Sequence, residues 1–312
     1  MAGGTERTLR RRIKSVQSTK KITKAMELIA ASRILKAQQR VVASRPYAEQ
    51  ITEVIRNLAA AGAGGGSPLL EQRDQVSTVA VVVIAGDRGL CGGYNSNVIR
   101  TAEREVARLR AAGTDARLVT VGRKAQAYFR FRGYELDQAF TGFSDEPTYD
   151  DARTVAGHLV PAFEEGRYDA VELVYTQFLS AASQKVVQRR FVPLDVQALT
   201  EAAPAGPSAD YEFEPNPTEI LSRLLPRYAE ARLYAALLDG AASFFADQQR
   251  AMKSATDNAD DLITKLTRVM NRARQDAITT EIMEIVGGAE AMRAGQAHGA
   301  DLIPDNALRA DD

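Results

Sequence analysis

The residues whose types and spacing best suit chemistry lie in one glycine-rich stretch, Gly86-Asp87-Arg88-Gly89-Leu90-Cys91-Gly92-Gly93-Tyr94-Asn95. It follows a strand-like run and precedes a helix-like one, which is where phosphate-binding loops sit. It lacks the Gly-Lys-Ser/Thr ending of a P-loop, and its glycine spacing does not fit the dinucleotide fingerprint. The preferred reading is a tight strand-to-helix turn in which glycines permit positive φ and close backbone packing. Cys91 is the one cysteine, with no histidine near it in sequence, and it reads as a small packing residue. The two histidines, His158 and His298, offer no zinc spacing. His158, beside Leu159, reads as structural. The acidic pairs Asp150-Asp151, Glu164-Glu165 and Asp260-Asp261 read as solvated or helix-capping groups. These residues form no catalytic set, so the expectation is a chain with no catalytic site, no cofactor and no metal.

The elements that position these residues are clearer than the residues themselves. The main element is a helical run from Pro217 to about Ala289, opened by Asn216 as N-cap with Pro217 first in the helix. Its apolar residues recur at helical spacing, among them Leu221, Leu225, Leu233, Leu237, Phe245 and Met252, then Leu262, Leu266, Val269, Ala273, Ile278, Ile282, Ile285 and Val286. Gly287-Gly288 is the expected stop. A helix of that length spans roughly 110 Å at ~1.5 Å per residue, more than one globular core can cover. It needs a partner helix, and the N-terminus supplies one. There Leu9, Ile13 and Val16, then Ile22, Met26 and Ile29, then Ile34, Ala37 and Val41 continue a drifting stripe. Pro46 is expected to kink or break this helix.

Between the helices, Val79–Ile84 is a β-branched run typical of a strand buried on both faces. A second strand at 117–121, helices at 96–111, 123–131 and after Pro147, and a hairpin of 171–175 with 185–191 complete an α/β pattern. The expected organisation is an N-terminal coiled-coil helix over 1–61, a linker over 62–75 and an inserted α/β domain over 76–200. A second linker over 201–216, a C-terminal coiled-coil helix over 217–289 and a mobile tail over 290–312 follow. The fold class is therefore mixed α/β: a long antiparallel coiled coil of terminal helices with an inserted Rossmann-like domain.

Hydrophobic content of 45% and charged content of 26% suit a soluble protein, and no run approaches the ~20 apolar residues of a membrane span. The formal net charge of zero hides a segregation. Through Arg40 the basic residues far outnumber Glu6 and Glu27, so an acidic partner is expected. A basic coiled coil that binds nucleic acid or serves as a scaffold is the alternative, weakened by the absence of stacking aromatics on the basic helix.

Three stretches carry a resemblance: IKSVQSTKKITKAMELIAASRILKA at 13–37, GDRGLCGGYN at 86–95 and MKSATDNADDLITKLTRVMNRARQDAITTEIMEIV at 252–286. Together they resemble the gamma subunit of F-type ATP synthases. The resemblance implies a central rotor shaft that carries c-ring rotation to the catalytic beta subunits, with no catalytic site of its own. It implies contacts with the alpha and beta subunits, the epsilon subunit and the c-ring, no nucleic acid, and no direct membrane insertion. The implied location is peripheral, on the cytoplasmic face of the cell membrane of a bacterium. Residue by residue, Met26, Arg274, Gln275 and Thr279 match beta-subunit contacts, and Tyr211 and Glu214 match a foot that meets the c-ring. Where the family often has an arginine, four residues before Met252, this chain has Gln248. Lys20, Lys21 and Lys24 are expected to form a basic bearing face.

Overall fold

The computed structural model describes residues 2–58, 67–194 and 216–300, with side chains for 5–58, 67–194 and 216–293. Helix α1 is Ala2–Leu58 and helix α5 is Pro217–Ala300. Between them lie a short 3-10 turn at Pro68–Leu70, strand β1 (Thr78–Ile84), helix α2 (Tyr94–Ala111), strand β2 (Asp115–Val121) and helix α3 (Arg123–Phe131). Strand β3 (Leu136–Phe140), helix α4 (Tyr149–Glu164), strand β4 (Ala170–Phe178) and strand β5 (Gln184–Val192) complete the order. The chain divides into two compact units, Ala25–Lys253 and the remainder, in which residues up to Lys24 join those from Ser254 onward.

In the larger unit the strands run β3-β2-β1-β4-β5. The first four are parallel and β5 is antiparallel to β4. β1 sits at the centre because Val79–Ile84 is apolar at every position and every residue of it is buried, as a strand covered on both faces must be. One face packs on Ile51, Ile55 and Leu58 of α1, Leu159 and Phe163 of α4, and Leu221, Leu225 and Leu233 of α5. The opposite face packs on Val98, Ala102 and Val106 of α2 with Ala125 and Phe129 of α3. The expected hairpin is present, closed by Ser180 N donating to Ser183 O at 3.0 Å and Ser183 N donating to Ser180 O at 3.2 Å.

Local signals explain the helix starts. Asn216 Oδ1 accepts from Thr218 N at 2.9 Å, and Thr148 with Asp151 forms a reciprocal capping box on α4. Asp151 of the expected acidic pair is therefore a cap, while Asp150 sits beside it in the first turn.

Two expectations are corrected and one strand is added. α1 is continuous through Pro46; the proline is exposed, so the carbonyl one turn back at Val42, itself 60% exposed, can be satisfied by water. α5 does not stop at Gly287-Gly288 but continues to Ala300. Each glycine costs a helix ~1 kcal/mol, too little to end it among good helix formers. β3 has no counterpart in the sequence reading, because LDQAF is a short edge strand with only half-buried apolar residues.

Candidate subunit interface

The glycine-rich turn follows β1 at the point where the chain changes direction: β2 and β3 lie on one side of β1 and β4 on the other. Open α/β sheets bind ligands at such a crevice. Here α5 packs against the Gly86 side of the crevice, and a polar cleft of about 370 Å³ lined by Arg33, Asp87, Arg88, Arg123 and Asp145 stays open beside it. A Cβ on Gly86 would stand 3.1 Å from Phe244 Cδ2 of α5, and the Tyr94 and Phe244 rings meet edge-to-face at 5.6 Å. Asn95 staples the turn: its Oδ1 accepts from Gly86 N at 2.8 Å and its Nδ2 donates to Arg88 O at 2.9 Å.

Asp87 carries no free carboxylate chemistry. It accepts from Arg123 N at 3.0 Å, Gly142 N at 2.9 Å, and Ser144 N and Oγ at 3.1 and 2.9 Å. Burial pushes its carboxyl up, and the hydrogen bonds from Arg123, Ser144 and Gly142 outweigh that, holding it below the usual range. Gly122 completes the junction at φ +97°, where a Cβ would lie 2.2 Å from Ala85 O; only glycine fits. Cys91 is buried, and its thiol is pushed up to about 11 by burial, so at neutral pH it is a protonated packing group. His158 sits 3.2 Å from the Tyr168 hydroxyl and 3.4 Å from Asp137. It links α4 to β3 rather than to any reacting group.

The smaller unit contains a two-helix seam. In α1, Leu9, Ile13, Val16, Lys20 and Thr23 are buried or half-buried at alternating spacings of four and three. In α5, Thr256, Ala259, Ile263, Leu266 and Met270 follow the complementary alternation, the 3.5-residue repeat of knobs-into-holes packing. Two polar contacts give the direction. Thr23 Oγ1 and Thr256 Oγ1 are 2.8 Å apart, and Lys20 Nζ donates to Asp260 Oδ1 at 2.5 Å. Low numbers meet high ones, so the pair is antiparallel.

That register corrects the expected stripes. Ile22 and Ile29 do not continue the seam but are 61% and 54% exposed. Val269, Ile278, Ile282, Ile285 and Val286 are exposed on α5 as well, with Leu262 on the margin. A strict 3.5-residue seam has room for one residue per half-heptad, and apolar residues one step off it face outward.

Of the expected beta-contact residues, Met26 in the larger unit is half-buried, and Arg274, Gln275 and Thr279 are exposed on the outer surface of α5. The seam gathers none of them. The expected bearing trio is split: Lys21 and Lys24 are exposed, whereas Lys20 is turned to Asp260. Asp260, read from sequence as a solvated acid, is thus a seam partner. Arg250 donates to Ala182 O at 2.8 Å and also engages Gln184 and Asp247, which binds α5 to the β4–β5 turn. Tyr211 and Glu214 lie outside the described residues. The residues that sequence reasoning missed are Thr23, Thr256 and Asp260. The 13-16-20-23 alternation was the available signal, hidden because two of its members are polar.

The ATP synthase family model matches residues 5–292. The ATP synthase gamma chain of Parafrankia sp. (strain EAN1pec) is 55% identical over 296 residues, covering 94% of this chain and 99% of that relative.

This chain belongs to the ATP synthase gamma chain family.

A second member of that family, from Mycolicibacterium smegmatis, is 50% identical over 302 residues, covering 92% of this chain and 98% of the relative. Among solved structures, the central stalk/c-ring of Tetrahymena thermophila mitochondrial ATP synthase contains a chain that aligns at TM-score 0.55 and 25% identity, covering 75% of this chain and 99% of that one. A chain of the Euglena gracilis mitochondrial ATP synthase aligns at TM-score 0.64 over 94% of this chain and 96% of its own; at 20% identity it speaks to the fold alone. Gamma chains are non-catalytic subunits, which sets aside both a nucleotide site at the glycine-rich turn and the nucleic-acid-binding alternative. No helix among the described residues is long and apolar enough to cross a membrane.

Proposed function

We propose that this chain is the central rotor shaft of a proton-translocating ATP synthase, carrying c-ring rotation to the catalytic beta subunits. One observation supports the reading above the rest. Beyond its seam, α5 exposes Val269, Ile278, Ile282, Ile285 and Val286 at 49–72%, an apolar surface that a chain acting alone would bury. In a shaft, a surrounding ring of alpha and beta subunits covers that surface.

Arg274, Gln275 and Thr279 share the stretch, and in this reading they meet one beta subunit at a time through charge-assisted hydrogen bonds. Met26 is assigned the same partner. Lys21 and Lys24 supply weak, screened contacts to acidic loops of the ring, and Lys20 divides its role between such loops and Asp260. Tyr211 and Glu214 are assigned to the c-ring foot, and the larger unit to the epsilon subunit. The complex holds the chain at the cytoplasmic face of the cell membrane without inserting it.

The test is co-expression of tagged chain with alpha and beta subunits, followed by ATP-driven rotation of a bead fixed to the larger unit. Stoichiometric co-purification and rotation in one direction are expected. A chain that purifies alone, or a complex hydrolysing ATP without turning the bead, would refute the reading.

A further inference from the structure

Within the larger unit a cavity of about 390 Å³ opens to solvent among α1, α4 and α5. It is an open cleft, kept open by small residues: Ala48 of α1 and Ala231 of α5 line it where larger side chains would close the gap between the helices. The walls are aromatic, formed by Tyr47, Tyr149 and Tyr234. Tyr149 and Tyr234 stand edge-to-face with centroids 5.8 Å apart. Tyr149 is locked in place because its hydroxyl donates to Glu230 Oε2 at 2.7 Å.

One charge borders this apolar space. Arg227 lines the cavity and is exposed, and it forms no ion pair with a described residue. Glu230, the carboxylate one turn away, is engaged by Tyr149.

We infer that this cavity is a binding site for a flat aromatic carboxylate of one or two rings. Its volume lies in the range of small-molecule sites, which are mostly apolar with a few polar groups that fix orientation. The ring of such a ligand meets tyrosine faces and edges, and its carboxylate takes the planar fork of Arg227. A nucleoside di- or triphosphate does not suit it, since one cation serves two or three phosphates poorly. The site is independent of the rotor reading, because nothing in the argument uses a partner subunit.

The experiment is calorimetric titration of the full chain with biphenyl-4-carboxylate, and with the neutral biphenyl-4-carboxamide as a control. Saturable one-to-one binding of the acid is expected, weakened at least tenfold by Arg227→Gln, a surface change that leaves folding intact. The amide should bind at least tenfold more weakly than the acid to the wild type and be indifferent to that substitution. Ala231→Leu, checked for native circular dichroism, fills the cavity and should abolish binding of both. Absence of saturable binding to the wild type would overturn the inference. So would equal affinity for acid and amide, or binding that survives a folded Ala231→Leu variant.

Discussion

Thr23 and Thr256 place their hydroxyls 2.8 Å apart in the buried seam between α1 and α5. A polar pair at one step of an apolar repeat stabilises the register that matches it and penalises every other, since a slip would bury the hydroxyls against aliphatic neighbours. Lys20 and Asp260 mark the adjacent step. From these two contacts the apolar part of the seam continues toward the start of α1, with Val16 and Ile13 on one helix and Ile263 and Leu266 on the other.

Replacing Thr23 by Val removes its cross-helix hydrogen bond to Thr256, at a cost of about 1 kcal/mol. Replacing both by Val should recover most of that loss. A double-mutant cycle by urea denaturation reads the coupling directly, and purely additive losses would mean the pair does not interact.

Leu266 and Ile278 make a matched contrast on one helix, at 9% and 49% exposure. Leu266→Asp buries an unpaired charge in the seam and should cost several kcal/mol in the isolated chain. Ile278→Asp should leave the isolated chain's melting temperature within a degree or two and reduce ATP turnover in the assembled complex. Equal thermal shifts in the two variants would count against the seam as described.

Arg274→Ala with Gln275→Ala removes two exposed groups that hold nothing in place within the seam. The isolated chain should keep its stability, the complex should assemble, and ATP turnover should fall, with charge-assisted contacts of ~1.5–3 kcal/mol at stake. Wild-type turnover in this double variant would remove these residues from the coupling path.

The lysines should divide by role. Lys20→Gln should cost at most ~1 kcal/mol of seam stability, because its pair with Asp260 is part-exposed and screened. Lys21→Gln with Lys24→Gln should lower coupling of proton transport to synthesis at low salt. That difference should shrink above ~0.1 M salt, where the screening length falls to about 10 Å. Coupling equal to wild type at low ionic strength would leave the basic character of α1 without this explanation.

Asp239 on α5 is pushed up to about 6 by burial, against the opposing pull of Arg189 and Arg45. In the folded chain it therefore holds its proton to higher pH than in the unfolded chain, whose carboxyl titrates near 3.8. Between those two values the native state binds more protons, so stability falls as pH rises through the window and the penalty stays in place above about pH 6. Asp239→Asn should stabilise the chain by about 1–2 kcal/mol at pH 7 and by little at pH 4. Chemical denaturation at the two pH values decides it, and a gain independent of pH would place the cause elsewhere.

Much of the larger unit is legible in the residues. Val79–Ile84 is apolar at every position, so it had to be a strand covered on both sides. Thr148 and Asp151, like Asn216 and Pro217, announce helix starts within four residues of chain, because capping is a local hydrogen-bonding event. β3 was hidden for the opposite reason: an edge strand borrows its order from β2, and LDQAF carries little periodicity of its own. Gly287-Gly288 misled because a local penalty of ~1 kcal/mol per glycine is smaller than the cooperative gain of continuing a helix already formed.

The candidate site divides along the same line. Sequence alone determined that two long helices need partners, that the glycine-rich turn lacks phosphate-loop spacing, and that Arg274, Gln275 and Thr279 belong to a matching motif. Only the tertiary structure decided which side of each helix is inside. Apolar residues at Ile22, Val269 and Ile278 qualify for a seam by type, and Lys20 and Thr23 do not. The choice falls to register, a property of two helices together: knobs fit holes at one alternation of three and four, and a hydroxyl or ammonium can occupy that seam once Thr256 or Asp260 arrives opposite to receive it.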